Sequence, residues 1–168
     1  MPLIKNVHDR HHFHGIAVAV FRVYVVLYTI EYRFPEGAVN PNTVSEYTID
    51  SEDIVFSDAV MEGYRFDGWF AGEQRIERIP KGTDVGGDLV LQAKFTAEEY
   101  QITYHTDGAS HENPAVYTVE TAGALLDAEK EGYSFEGWFD AETAGERIFS
   151  LEGRTGDLEF WARFSEVT

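Results

Sequence analysis

The stretch GYRFDGWF, Gly63 to Phe70, returns sixty-nine positions later as GYSFEGWF, Gly132 to Phe139. Six of the eight residues match: two glycines, a tyrosine, a tryptophan and two phenylalanines. Working outward from the pair, further matches appear in unchanged order. YTIEYRF (28–34) answers to YQITYHT (100–106), the pair Asn40-Pro41 to Asn113-Pro114, and EYTI (46–49) to VYTV (116–119). RIERI (75–79) answers to RIFSL (147–151), and GDLVLQAKF (87–95) to GDLEFWARF (156–164). The offset drifts from 69 to 73, which places small insertions in the connections and makes the chain two copies of one unit.

The matched segments have the period of strands. Tyr28, Ile30, Tyr32 and Phe34 share one face and Thr29, Glu31 and Arg33 the other. Leu89, Leu91, Ala93 and Phe95 alternate with Val90, Gln92 and Lys94, and the second copy sets Leu158, Phe160, Ala162 and Phe164 against Glu159, Trp161 and Arg163. Pro fixes φ in the Asn-Pro loop and holds the preceding Asn out of the helical region. In the quoted string, Tyr64, Phe66 and Phe70 share one parity, while Trp69 falls on the other with Arg65 and Asp67. A bulge at Gly68 turns Trp69 back to the core, and the same holds for Gly137 and Trp138. Gly63, Tyr64, Phe66, Gly68 and Trp69, with Gly132, Tyr133, Phe135, Gly137 and Trp138, are thus expected to form a structural core motif, completed by Phe95 and Phe164. The stretches SEDIVFSDAVME (51–62) and TAGALLDAEKE (121–131), each opened by a hydroxyl cap, leave room for one short helix per copy. The isoleucines of RIERI suggest a helical turn or a packed loop.

Composition narrows function. The 168 residues contain no cysteine, so disulfides and thiolate chemistry are out, and twenty-four aromatics supply small dense cores. The net charge of −17 is uneven: +2 over residues 1–24, −7 over 25–97 and −12 over 98–168. Such a body repels phosphate backbones and anionic lipid, which excludes nucleic acid as a partner. Residues 1–24 read as a leader or an extended, disordered segment, with 25–97 and 98–168 as the two modules. The run Ile16 to Ile30 is too short for a membrane span and carries Arg22, so membrane contact is expected only if this segment provides it. His8, His11, His12 and His14 are the candidate metal ligands. A tail offers them neither fixed geometry nor a second shell, and a metal-binding or membrane-tethered protein using this segment is the alternative reading.

No G-x-S-x-G occurs, and His105 and His111 have no counterparts in the first copy. A catalytic site shared by both copies would repeat polar residues, whereas aromatics and glycines repeat; no enzyme and no cofactor are expected. FDAETAGE (139–146) and GTDVGGD (82–88) offer oxygen ligands without the regular spacing of a calcium loop. Trp161 shares the outer face with Glu159 and Arg163 where its mate is Gln92, which makes it the candidate binding residue, with cover by the linker TAEEY (96–100) as the plainer account.

The order Y-x-I-x-Y, Asn-Pro, Y-T-[IV], G-Y-x-F-x-G-W, R-I-x-x-[IL], G-D-L-x-[LF]-x-A-[KR]-F resembles the Listeria-Bacteroides repeat, also called the internalin B-repeat, in two tandem copies. The resemblance covers roughly 25–96 and 98–165. Phe95 and Phe164 stand where the family often has Trp, and Phe70 and Phe139 where it often has Tyr. It implies a mainly β or α+β architecture, two small β-grasp (ubiquitin-like) modules with mixed sheets and at most one short helix each. It also implies a non-enzymatic stalk, spacer or adhesive part of a bacterial cell-surface or secreted protein. The implied partners are neighbouring repeats of a longer parent and a host or cell-wall protein or glycan.

Overall fold

The computed structural model describes residues 3–6 and 24–167; His8, His11, His12 and His14 lie outside them. Among the described residues every regular element is a strand. They divide into two compact units, one built of residues up to Met61 plus Phe66–Phe95, the other of Glu62–Arg65 plus the residues from Thr96 on.

The first unit contains β1 (Leu3–Asn6), β2 (Tyr24–Arg33), β3 (Glu46–Tyr47), β4 (Ile54–Val55), β6 (Gln74–Arg75), β7 (Arg78–Ile79) and, apart from two residues of each that fall to the second, β5 (Tyr64–Ala71) and β8 (Leu89–Ala97). Its sheet runs β1-β2-β8-β5-β6, with β3 also on β2, and β4 pairs separately with β7. The second contains β9 (Tyr100–His105), β10 (Val116–Tyr117), β11 (Tyr133–Phe139), β12 (Arg147–Ile148) and β13 (Leu158–Glu166), in the order β10-β9-β13-β11-β12. Both sheets are mixed. In each, the strand that opens the repeat lies parallel to the strand that closes it: β2 on β8 with Ile30 opposite Leu89, and β9 on β13 with Ile102 opposite Leu158.

The cores follow the alternation read from the sequence. Ile30, Tyr47, Phe56, Trp69, Ile79, Leu89, Leu91 and Ala93 close one, and Ile102, Tyr117, Ala128, Trp138, Ile148, Leu151 and Phe160 the other. Phe66 sits edge-on between Trp69 and Phe95, and Phe135 between Trp138 and Phe164, an arrangement that suits the ring quadrupoles. Tyr133 departs from the expected core: it is 38% exposed, with the Lys130 ammonium over its ring. It opens β11, and its amide closes the turn from Lys130 at 3.1 Å. Tyr64 is half-buried.

The expected helices are absent, because other partners hold the backbone groups a helix needs. Ile54 and Val55, both β-branched, pair with Ile79 and Arg78. Asp53 accepts from the Lys81 amide at 2.7 Å. In the second unit the corresponding stretch is extended and tied by single bridges, Ala124 to Ser150 and Ser110 to Glu129. The RIERI and RIFSL segments are likewise short strands and loop, not a helical turn.

Candidate functional site

What recurs in both units is a set of two fastenings, each made of residues that the repeat retains. The first surrounds the tryptophan. In β11 the register with β13 shifts between Phe135 and Gly137, which is the bulge expected there, and it delivers Trp138 to the interior with 1% exposure. Gly68 and Gly137 have φ of 138° and 140°, a region that L side chains rarely adopt. The space a Cβ would need is filled by an arginine: Arg75 Nε lies 2.6 Å from that point at Gly68, and Arg147 occupies it at Gly137.

The indole then meets an asparagine through a shared stretch of backbone. Trp69 Nε1 donates to the Ser57 carbonyl at 2.9 Å, and Asn42 bonds the same residue twice, accepting from its amide at 2.8 Å and donating to its carbonyl at 2.9 Å. Trp138, Leu126 and Asn113 repeat the arrangement at 2.8, 2.6 and 2.8 Å. This corrects the alignment read from the Asn-Pro pairs: the counterpart of Asn113 is Asn42, not Asn40. Asn40 corresponds to His111, since Asn40 Oδ1 accepts from the Asn42 amide as His111 Nδ1 accepts from the Asn113 amide. The His111 ring also walls the core, 4.3 Å from Tyr104 and 5.3 Å from Trp138. Replacing Asn113 with Ala removes both of its bonds to Leu126, and an expected loss of about 1–3 kcal/mol is measurable as a lower urea midpoint. An unchanged midpoint would show that water satisfies Leu126 equally well.

The second fastening lies at the foot of the parallel strand pair and explains the repeated Gly-Asp-Leu. Asp88 Oδ1 accepts from the Thr29 amide, and Asp157 Oδ1 from the Gln101 amide, each at 2.8 Å. The glycine before the aspartate receives a phenol. Tyr47 donates to the carbonyls of Asp84 and Gly87, and Tyr117 donates to the Gly156 carbonyl at 2.6 Å. Burial first, then the negative charge of Asp84, pushes the Tyr47 phenol up to about 12; burial alone does the same for Tyr104. Burial also raises Tyr117.

Because these phenols hold their proton more tightly when folded, their contribution is complete below pH 10 and lost as pH rises through 12. For Tyr47, 1% exposed, it amounts to roughly 2–3 kcal/mol. The expected result is a fall in the urea midpoint between pH 10 and 12 that tracks late-titrating phenolate absorbance. All nine tyrosines titrating together near pH 10 would refute it.

A further fastening, in the second unit, accounts for the candidate calcium loop 139–146. Asp140 Oδ1 accepts from the Glu146 amide at 2.7 Å, and the Arg163 guanidinium donates to the carbonyls of Ala141, at 3.0 Å, and Ala144. The same guanidinium lies 3.7 Å over the Phe139 ring. The two carbonyls thus already face a cation, and Asp140 Oδ1 an amide. In loop 82–88, Asp84 Oδ1 accepts from Gly86 and Asp88 is committed to Thr29. Among the described residues no three His, Asp or Glu side chains converge as a metal site.

Two features belong to the second unit alone. Trp161 lies on the outer face as its parity implies, but it is half-buried because His105 from β9 stacks on it, rings 4.5 Å apart and 14° from parallel. His105 Nε2 also meets Glu159 Oε2 at 2.9 Å. Sequence alone could not pair His105 with Trp161, since their contact depends on the parallel register of β9 and β13. A cleft of about 500 Å³ is lined by Ser110, His111, Glu112, Leu126, Asp127 and Glu129. Its histidine already serves the Asn113 turn and the core, and its acids are exposed, so it holds no hydrogen-bonded acid and base pair of the kind catalysis requires.

The chain matches the Listeria-Bacteroides repeat domain twice, over residues 28–94 and 100–163. It is 30% identical to Internalin H of Listeria monocytogenes over 109 residues, 62% of this chain and 20% of that protein. It is 29% identical over 144 residues to a protein of Evansella cellulosilytica that is by name a Gly-rich membrane protein, covering 82% of this chain and 16% of the other. The chain therefore spans about a fifth or less of the length of these relatives. No solved structure matches it.

Proposed function

Because the chain belongs to the Listeria-Bacteroides repeat domain family, in two tandem copies, we propose that it is a non-enzymatic spacer of a bacterial cell-surface or secreted protein. One observation carries this reading. The polar groups of the repeated fastenings are spent inside their own unit: Asn42 and Asn113 on backbone, Asp88 and Asp157 on strand amides, Tyr47 and Tyr117 on glycine carbonyls. A repeated active or binding site would leave repeated polar groups facing solvent. The strong negative charge then serves solubility and keeps the modules clear of anionic surfaces.

The adhesive alternative has its own support in Trp161, His105 and Phe139, which lie in one row across β13, β9 and β11 of the second unit only. The two readings separate in a display experiment. One, two or four copies of the chain are placed between a cell-wall anchor and a reporter that captures a bulky particle. Spacing requires capture to rise with copy number and to survive Trp161→Ala. Saturable binding of the chain itself to a glycan or matrix protein, abolished by Trp161→Ala, would replace spacing with adhesion.

A further inference from the structure

Spacing alone demands only length, and a slack linker supplies it. The topology does more. In each unit the opening and closing strands of the repeat are hydrogen-bonded neighbours and parallel, β2 with β8 and β9 with β13. Tension carried along the chain reaches β9 at its Tyr100 end and leaves β13 at its Glu166 end. Parallel strands held at opposite ends are pulled past one another, so all rungs of the ladder bear the load together. Antiparallel neighbours, or parallel strands held at the same end, would open one rung at a time.

The repeated fastenings stand on this same seam. Leu158 to Trp161 face Ile102 to His105 in four register pairs. Asp157 adds a side-chain rung below them by accepting from Gln101, and Tyr117 from the neighbouring β10 grips the Gly156 carbonyl at the point where the chain enters β13. In the first unit, Asp88 and Tyr47 do the same for Thr29 and Gly87. The second unit carries two ties more, both crossing the seam: the His105–Glu159 bond at 2.9 Å and the His105–Trp161 stack. At the matching positions of the first unit, Arg33 turns to Glu31 of its own strand at 2.7 Å, and Val90 and Gln92 replace Glu159 and Trp161.

We infer that each unit is a shear clamp that resists tension along the chain, with the Gly-Asp-Leu aspartate as a force-bearing rung and the His105–Trp161–Glu159 ties making the second unit the stronger. The inference deepens the spacer reading, but it concerns a property of the fold, so it fails separately: a weak clamp leaves a slack spacer intact.

The absence of cysteine makes the test direct, since handles attach only where cysteines are introduced. In the full chain, the pair Glu99→Cys and Val167→Cys loads β9 and β13 from opposite ends, whereas Thr106→Cys and Val167→Cys loads them from the same end. Single-molecule pulling should give a rupture force about two- to fourfold higher in the first geometry, reflecting four register pairs broken together instead of singly. Equal forces in the two geometries overturn the clamp. Asp157→Ala should lower the force in the shearing geometry and leave the peeling geometry unchanged. Asn113→Ala, which acts away from the seam, should lower the urea midpoint without lowering the shearing force. If both variants instead lower the shearing force in proportion to lost stability, the resistance is global stability and the clamp is refuted. His105→Ala should weaken the second unit toward the first; no change assigns its ties no mechanical part.

Discussion

Trp138→Ala is expected to unfold the second unit or bring it close to unfolding. The side chain is 1% exposed, has Tyr104, His111 and Phe135 edge-on or tilted within 5.0–5.5 Å, and donates to the Leu126 carbonyl. Removing a buried indole costs about 3–5 kcal/mol from lost transfer energy and the cavity left behind. That is comparable to the whole stability available to a module of this size. Trp138→Phe keeps most of the packing and loses the donor, so it should cost less, on the order of 1–3 kcal/mol. Urea titration of both variants is the measurement. A change below about 1 kcal/mol for the alanine would mean that the site collapses freely and that Trp138 is not the centre of its core.

Gly137→Ala is the second large effect, and it arises from backbone rather than volume. At φ 140° an alanine is strained, and its Cβ would collide with Arg147 Nε and come within 2.9 Å of Cδ. Together these should cost roughly 2–3 kcal/mol. The two causes separate in a double-mutant cycle. Arg147→Ala clears the collision, so Gly137→Ala in that background should recover about 1 kcal/mol while the backbone strain persists. Simple additivity of the two substitutions would show that Arg147 moves aside without cost and that the strain is entirely in φ.

Much of this fold was legible. Alternation placed Ile30 of β2 and the buried residues of β8 and β13, though it missed the buried Leu27 and put the exposed Phe34 inside, and the parity conflict at Trp69 and Trp138 pointed to the glycine bulge that β11 displays. What escaped depends on partners distant in the chain. Residues 51–62 carry caps and mixed apolar spacing that suit a helix, yet the Asn42 side chain, fifteen residues upstream of Ser57, holds that stretch extended. Asn40-Pro41 drew the alignment because proline is conspicuous, while Asn42 carries the bonds. The repeated Gly-Asp-Leu was visible without a role, since its aspartate acts on an amide 56 or 59 positions away. Tyr133 was assigned to the core on parity, which reads the face of a strand and not whether anything covers its first residue.

The pairing of opening and closing strands also bears on how the chain comes to be folded. Thr29 waits for Asp88, 59 residues later, and Gln101 for Asp157, 56 residues later. Closing so long a loop is slow, and until it closes the middle of each sheet lacks a strand. A unit that emerges N-terminus first, from a ribosome or through a membrane pore, therefore stays threadable until its last strand arrives, then completes in one step. The parallel seam makes each repeat a single indivisible package, and a chain cut anywhere before β8 or β13 delivers none of it.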